Sequence, residues 1–207
     1  MSFIDDSEKK VILFLIGNPG SLNRHSTGHY ILADLIKNFN AKQLVKNGLY
    51  SKTDFDNLTF VKSNSYMNES HKSLKKFLEI EKINLNSSIL IILFDDFESI
   101  LSSVKLSALK KNESHNGVKS IHSFLLSHSL QNAIIFKLGI GIGPKPSNAT
   151  KDTMASWVLS KFTQQEIEIL NDKSLPLVYG YVDHILQNNG TIKDFNKLNA
   201  KMKKLYA

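Results

Sequence analysis

The chain has 207 residues, no cysteine, 42% hydrophobic residues and a formal net charge of +7. That length suits one domain with a sizeable core and is short for two, while the missing thiols exclude disulfides, a thiolate nucleophile and cysteine-based metal sites. No apolar run approaches the roughly 20 residues needed to cross a bilayer, and the positive charge points to an acidic partner, most commonly nucleic acid.

Met1 to Lys10 contains Asp5, Asp6 and Glu8 and no arginine, unlike a secretory leader or a usual transit peptide, and is expected to be disordered. Val11 to Ile16 reads as a buried strand, followed by the turn Gly17-Asn18-Pro19-Gly20 and then Arg24-His25. His29 to Phe39 has helical spacing at Ile31, Leu32, Leu35, Ile36 and Phe39. Leu58 to Val61 is a short strand leading into Tyr66-Met67-Asn68, and Ser70 to Ile80 is a helix with Leu74, Phe77 and Leu78 on one face. Ile89 to Phe94 is apolar at every position, as a central strand covered on both faces would be. Asp95 stands at its end.

Val104 to Leu109 alternates weakly and suits an edge strand, and Val118 to Leu126 is a helix that begins just after His115-Asn116-Gly117. Ala133 to Ile140 is a further strand; Gly139, Gly141 and Gly143 make its exit a close-approach loop, since Pro144 and Pro146 argue against the helix a dinucleotide fingerprint requires. Thr163 to Leu170 and Leu177 to Leu186 are helical. Lys193 to Tyr206 is an amphipathic helix with Phe195, Leu198, Met202 and Leu205 opposite Lys197, Lys201, Lys203 and Lys204. Alternating strands and helices imply an α/β fold: one three-layer α/β/α domain over residues 1–207 with a mixed central sheet.

Polar residues at the ends of apolar segments are where open α/β sheets place ligands. The ordered pieces Gly17-Asn18-Pro19-Gly20, Arg24-His25 with Gly28, Tyr66-Met67-Asn68, Asp95, His115-Asn116-Gly117, Gly141-Ile142-Gly143 and Trp157-Val158-Leu159 ahead of Thr163 to Glu166 resemble the bacterial type of peptidyl-tRNA hydrolase, which also occurs in eukaryotic organelles. The resemblance runs from about Val11 to about Leu186. It implies hydrolysis of the ester between a peptide and the 3′ ribose of tRNA, with no cofactor or metal and tRNA as the partner. A catalytically inactive RNA-binding relative of the same fold is the alternative. A monomer without a membrane partner is expected, in the mitochondrion or alternatively the cytosol.

An ester needs less leaving-group help than an amide, so a positioned water, a base and an oxyanion donor suffice. His25 matches the family's catalytic histidine, and a neutral imidazole can take a proton from water near working pH. Asp95 can orient that imidazole and stabilise its protonated form. Neutral amides both donate and accept, which suits peptide carbonyls, ribose hydroxyls and an oxyanion; the resemblance places Asn18 and Asn68 at the ester or the peptide, and Asn116 at the water or the 3′ end beside His115. Tyr66 and Met67 form an apolar wall or simply pack.

The chain departs from the family in places. The stretch between Gly20 and Arg24 is shorter than in bacterial members, and Ser26 stands where they usually carry asparagine. Those members grip the tRNA 5′ phosphate with a lysine and an arginine, whose matching positions here are Ser107 and Gly139. Lys105, Lys110, Lys111 and Lys137 lie near enough in sequence to substitute.

Overall fold

A run apolar at every position must be covered on both faces, and that sets the frame. β1 (Lys10–Leu15) lies between β4 (Leu58–Ser63) and β5 (Ser88–Ile100), parallel to both. β7 (Ile134–Gly143) continues the parallel set beside β5, and β6 (Val104–Ala108) closes that side antiparallel to β7. On the other side β3 (Tyr50–Phe55) and β2 (Val45–Asn47) add antiparallel strands, giving the order β2-β3-β4-β1-β5-β7-β6. The computed structural model describes residues 8–20, 22–110 and 112–206.

Among the described residues seven α-helices follow in order: α1 (Thr27–Asn38), α2 (Ser70–Ile80), α3 (Asn116–Leu125), α4 (Lys151–Val158), α5 (Gln164–Ile169), α6 (Leu175–Gln187) and α7 (Phe195–Leu205). The strand period of two sorts side chains between two cores. Leu13, Leu15, Ile91, Leu93 and Leu138 meet Ile31, Leu35, Val178, Tyr181, Val182 and Met202 of α1, α6 and α7. Ile12, Phe14, Leu90 and Ile92 meet Leu74, Phe77, Val118 and Ile121 of α2 and α3. The sheet is thus mixed and covered on both sides, as expected. β1 and β4 send their following helices to opposite faces, which opens a crevice at the carboxyl ends of the parallel strands.

The outer edge at β6 is closed by a side chain. Asn199 of α7 accepts the Leu106 N–H at Oδ1 (3.0 Å) and donates Nδ2 to the Leu106 carbonyl (3.0 Å), while the Tyr181 hydroxyl donates to Oδ1 at 2.7 Å.

Several expectations need correcting. Residues 1–7 of the segment expected to be disordered, and the candidate contact Lys111, lie outside the described residues. Lys9 and Lys10 are ordered: the Lys9 N–H donates to Asn189 Oδ1, Asn57 donates to the Lys9 carbonyl, and β1 begins at Lys10. Gly139, Gly141 and Gly143 lie inside β7 rather than in a loop, although close approach is real: a Cβ at Gly141 would fall 1.9 Å from the Ile100 carbonyl oxygen. α3 starts at Asn116, earlier than expected, because His115 caps it. Leu205 is 63% exposed and does not join Leu198 and Met202 in the core.

Candidate active site

β1 stops at Leu15, and its last register partner on β5 is Leu93. β5 runs on, paired only with β7, so Asp95 sits within the strand rather than at its end, opposite Ile140 and beyond the tip of β1. Two segments fill the space that β1 vacates. One is the 3₁₀ turn Arg24–Ser26 ahead of α1; the other is the start of α3.

Each brings an imidazole to the same carboxylate. His25 Nδ1 lies 2.8 Å from Asp95 Oδ2, and His115 Nε2 lies 3.0 Å from Oδ1. The two rings meet edge to face with centroids 5.3 Å apart. The network also assigns the protons. His115 Nδ1 accepts the Val118 N–H as the α3 cap, so its Nε2 carries the hydrogen that goes to Asp95. His25 donates from Nδ1, leaving a lone pair on Nε2.

Asp95 is 1% exposed. Burial pushes its carboxyl up, but the charge and hydrogen bonds of His115 and His25 outweigh that and hold it down to about 2, so it is ionised at neutral pH. Beneath the Gly17-Asn18 turn lies buried His29, whose Nε2 donates to the Leu15 carbonyl at 3.3 Å. Burial and nearby Lys62 lower its pKa to about 4, so it is neutral. A Cβ at Gly17 would fall 2.8 Å from that ring.

The predicted amides divide. Asn18 Oδ1 accepts the Met67 N–H at 2.9 Å, so its NH₂ is the end available to a substrate. The Asn18 backbone and the Ser26 hydroxyl exchange hydrogen bonds of 3.2 Å, which ties this loop to the His25 turn. Met67 is buried and packs where a Gly117 Cβ would be, 2.5 Å from its sulfur, so it is the wall between the Asn18 loop and α3. Tyr66 is 61% exposed and does not form such a wall. Asn68 and Asn116 are also exposed, Asn116 in the first turn of α3.

A cleft of ≈ 680 Å³ opens beside the imidazoles, lined by His25, His115 and Asn116 on one side and by Met154, Ala155 and Val158 of α4 on the other. Phe97 and Lys145 stand at its edge, the Lys145 ammonium 5.9 Å above the Phe97 ring and 2.6 Å from Glu98. Asn18, Tyr66, Met67 and Asn68 do not line this cleft. Sequence reasoning missed Phe97, Lys145, Met154 and Ala155; α4 is short and largely exposed, so it left no apolar stripe to read.

Lys105 and Lys110 are exposed and outside the cleft. Across the β6–β7 pair Lys105 stands opposite Gly139, and Ser107 opposite Lys137. The Gly139 position is tight for any side chain, since a Cβ there would lie 3.0 Å from the Phe94 ring, which would have to give way. Lys137 does not replace the missing charge either: it is buried and paired with Glu113 at 2.5 Å.

His25, Asp95 and His115 are also the described cluster whose ligand atoms, within 4.8 Å of one another, could surround a metal ion. As found, both imidazoles aim at different oxygens of one carboxylate at hydrogen-bond distance, and the Val118 N–H keeps the His115 proton on the nitrogen a metal would need. The donor set fits a hydrogen-bonded relay.

Comparison with known proteins shows the family of the chain and its fold. The sequence profile of the family described as peptidyl-tRNA hydrolase matches residues 12–205. A peptidyl-tRNA hydrolase of Fervidobacterium nodosum is 31% identical over 92% of this chain and 96% of its own length, and one of Prochlorococcus marinus is 33% identical over the same shares. A probable peptidyl-tRNA hydrolase of Schizosaccharomyces pombe is 32% identical over 77% of this chain and 75% of its own. The crystal structure of peptidyl-tRNA hydrolase from Acinetobacter baumannii shares the fold, with a TM-score of 0.72 at 20% identity over 97% of this chain and 96% of that one.

Proposed function

The chain belongs to the peptidyl-tRNA hydrolase family, and we infer from that membership and the site geometry that it hydrolyses the ester joining a peptide to the 3′ ribose of tRNA. The observation that carries this reading is the ionised Asp95 carboxylate shared between His25 and His115. With its Nδ1–H held by Asp95, His25 keeps the Nε2 lone pair for a water in the cleft. It takes a proton as the water oxygen bonds to the ester carbonyl carbon. Asp95 stabilises the imidazolium that forms. That imidazolium returns the proton to the ribose 3′ oxygen as its bond to the carbonyl carbon breaks, giving a free peptide acid and tRNA with a 3′ hydroxyl.

The remaining residues orient and stabilise. The Asn18 NH₂ is the donor for the peptide carbonyl or the developing oxyanion. Asn116, in the first turn of α3 at the cleft, holds the water or the 3′ end, and Asn68 beside Met67 contacts the peptide. His115 acts through Asp95. An inactive RNA-binding relative would have dispensed with the base or its acid, whereas here both are bonded in place.

For the tRNA body, Lys105 and Lys110 are proposed as phosphate contacts that compensate for Ser107 and Gly139, because both are exposed and Lys137 is neutralised. A mitochondrial location is proposed on the resemblance alone, and a tagged full-length chain followed in cells tests it.

The central experiment measures turnover of N-acetylated aminoacyl-tRNA, with and without chelator, by the protein and its His25→Ala variant. Loss of about 10² to 10⁴ in rate is expected, with tRNA binding retained and no effect of chelator. Near-normal turnover in a folded His25→Ala protein overturns the assignment.

A further inference from the structure

The sequence carries 26 lysine and arginine residues, and Arg24 is the sole arginine. A composition so biased towards lysine makes one guanidinium next to the base conspicuous. Arginine differs from lysine in presenting a rigid planar fork of donors with faces that stack on aromatic rings, and Arg24 uses both properties. Its Nε donates to Ser160 Oγ (3.1 Å), Nη2 to Glu166 Oε2 (2.8 Å) and Nη1 to the Ile142 carbonyl (3.5 Å). The guanidinium lies 4.8 Å from the Phe162 ring centroid and 5.3 Å from that of Trp157. Its backbone N–H also donates to the Ser160 carbonyl at 3.1 Å.

These partners are themselves fixed. Glu166 Oε2 accepts the Thr163 N–H at 2.8 Å in the capping box that starts α5, and the Ser160 hydroxyl donates to the Trp157 carbonyl at 2.7 Å. Arg24 is 8% exposed, so this is no loose surface ion pair of the kind that contributes little. The turn it anchors is only three residues long, Arg24–Ser26. His25 therefore sits between two ties, Arg24 to residues 142–166 and Ser26 to the Asn18 loop. The function derived above spends His25, Asp95, His115 and the amides, and leaves Arg24 without a role.

We propose that Arg24 is a positioning residue that holds the His25 imidazole in register with Asp95 by clamping its turn to the segment from α4 to α5. The proposal rests on the hydrolase reading for its kinetic consequence but not for its geometric one. Misplacing a catalytic group by about 1 Å can cost on the order of a hundredfold. A lysine ammonium reaches Glu166 but cannot also hold Ser160 and Ile142 in one plane.

The test compares Arg24→Lys, and Ser160→Ala as a milder variant, with the unaltered protein well below their melting temperatures. For Arg24→Lys, kcat should fall about tenfold to a hundredfold with KM within about threefold; Ser160→Ala should show a smaller loss of the same kind. In an Asp95→Asn background, measured in single turnover, Arg24→Lys should cost less than about threefold, because there is then no productive His25–Asp95 bond to keep. A role confined to stability would lower the melting temperature and leave these ratios untouched. In parallel, the imidazole NMR signal of the His25 Nδ1–H should weaken or shift in Arg24→Lys. Unchanged kcat, an equal loss in both backgrounds, or an unchanged Nδ1–H signal overturns the proposal. If the unaltered protein has no turnover, the hydrolase reading fails, and the NMR comparison still decides the role of Arg24.

Discussion

Asp95→Asn is the sharpest perturbation of this site, because its effect follows from proton positions. An amide offers one acceptor oxygen and one donor NH₂ where the carboxylate offers two acceptors. His115 has its Nδ1 occupied by the Val118 N–H, so its Nε2–H must meet an acceptor. The introduced carbonyl oxygen therefore turns towards His115, and the introduced NH₂ faces His25 Nδ1 across the former 2.8 Å contact. His25 then accepts at Nδ1 and carries its proton on Nε2, the atom that should take one from water. The analogous wrong tautomer in a serine-protease triad costs about 10⁴ in kcat, so a loss on the order of 10³ to 10⁴ is expected, about 4 to 5.5 kcal/mol of barrier. Single-turnover hydrolysis of N-acetylated aminoacyl-tRNA gives the rate, and nitrogen-15 NMR of the imidazoles gives the tautomer. Adding His115→Leu releases the amide to turn its oxygen to His25, so the double variant should be faster than Asp95→Asn alone. A folded Asp95→Asn protein within tenfold of normal, or a double variant slower than the single one, refutes the reasoning.

Other consequences are more local. His29 has a folded pKa of about 4 against the ordinary histidine value of 6.5, so the unfolded chain binds the extra proton between those values, and the stability His29 contributes is full above pH 6.5 and lost on descending to pH 4. The loss is about 3 kcal/mol in all; His184, also lowered by burial, adds in the same direction. Urea midpoints from pH 7 to 4.5 should fall for the unaltered protein and much less for His29→Leu, and equal slopes would contradict the buried neutral assignment. Asp95, with its pKa lowered, contributes stability that is lost only as pH falls below its ordinary range towards 2. Replacing Lys105 and Lys110 by alanine should weaken tRNA binding and reduce the slope of log affinity against log salt by up to about 2, measured by filter binding; an unchanged slope would leave them as solvated lysines.

What the sequence reveals is the chemistry at the ends of its apolar runs. Asp95 is legible as the first polar residue after the continuously apolar run Ile89 to Phe94, whereas His25 and His115 are legible through the motifs in which the chain resembles the family. The bond from His115 to Asp95, and the tautomers it sets, are not legible, since they depend on where two distant turns meet beyond the tip of β1. The hairpin of β2 and β3 is not legible although its two-residue loop, Gly48-Leu49, opens with Gly48 at φ 59, a position that favours glycine; its strands are short and polar, so their pattern is faint. β5 outruns its apolar core to Ile100 because β7 continues to pair with it, a tertiary reason invisible in Ile89 to Phe94. Lys137 reads as a free cation until Glu113 is found beside it.

The amide of Asn199 has a consequence outside the active site. A bare outer strand is a template: its unpaired N–H and C=O groups can recruit a strand from another molecule, and the sheet then grows from chain to chain. At Leu106, in the middle of β6, both backbone groups are already engaged by one side chain carried on a helix. An incoming strand would meet α7 before it met the ladder, and to join it would have to lift that helix off Tyr181, whose hydroxyl donates to Asn199. The same seven strands without α7 would present an open seam. Self-association should therefore appear on shortening the chain after Asp194, a truncation that opens this edge and also takes Leu198 and Met202 from one core while leaving the other intact.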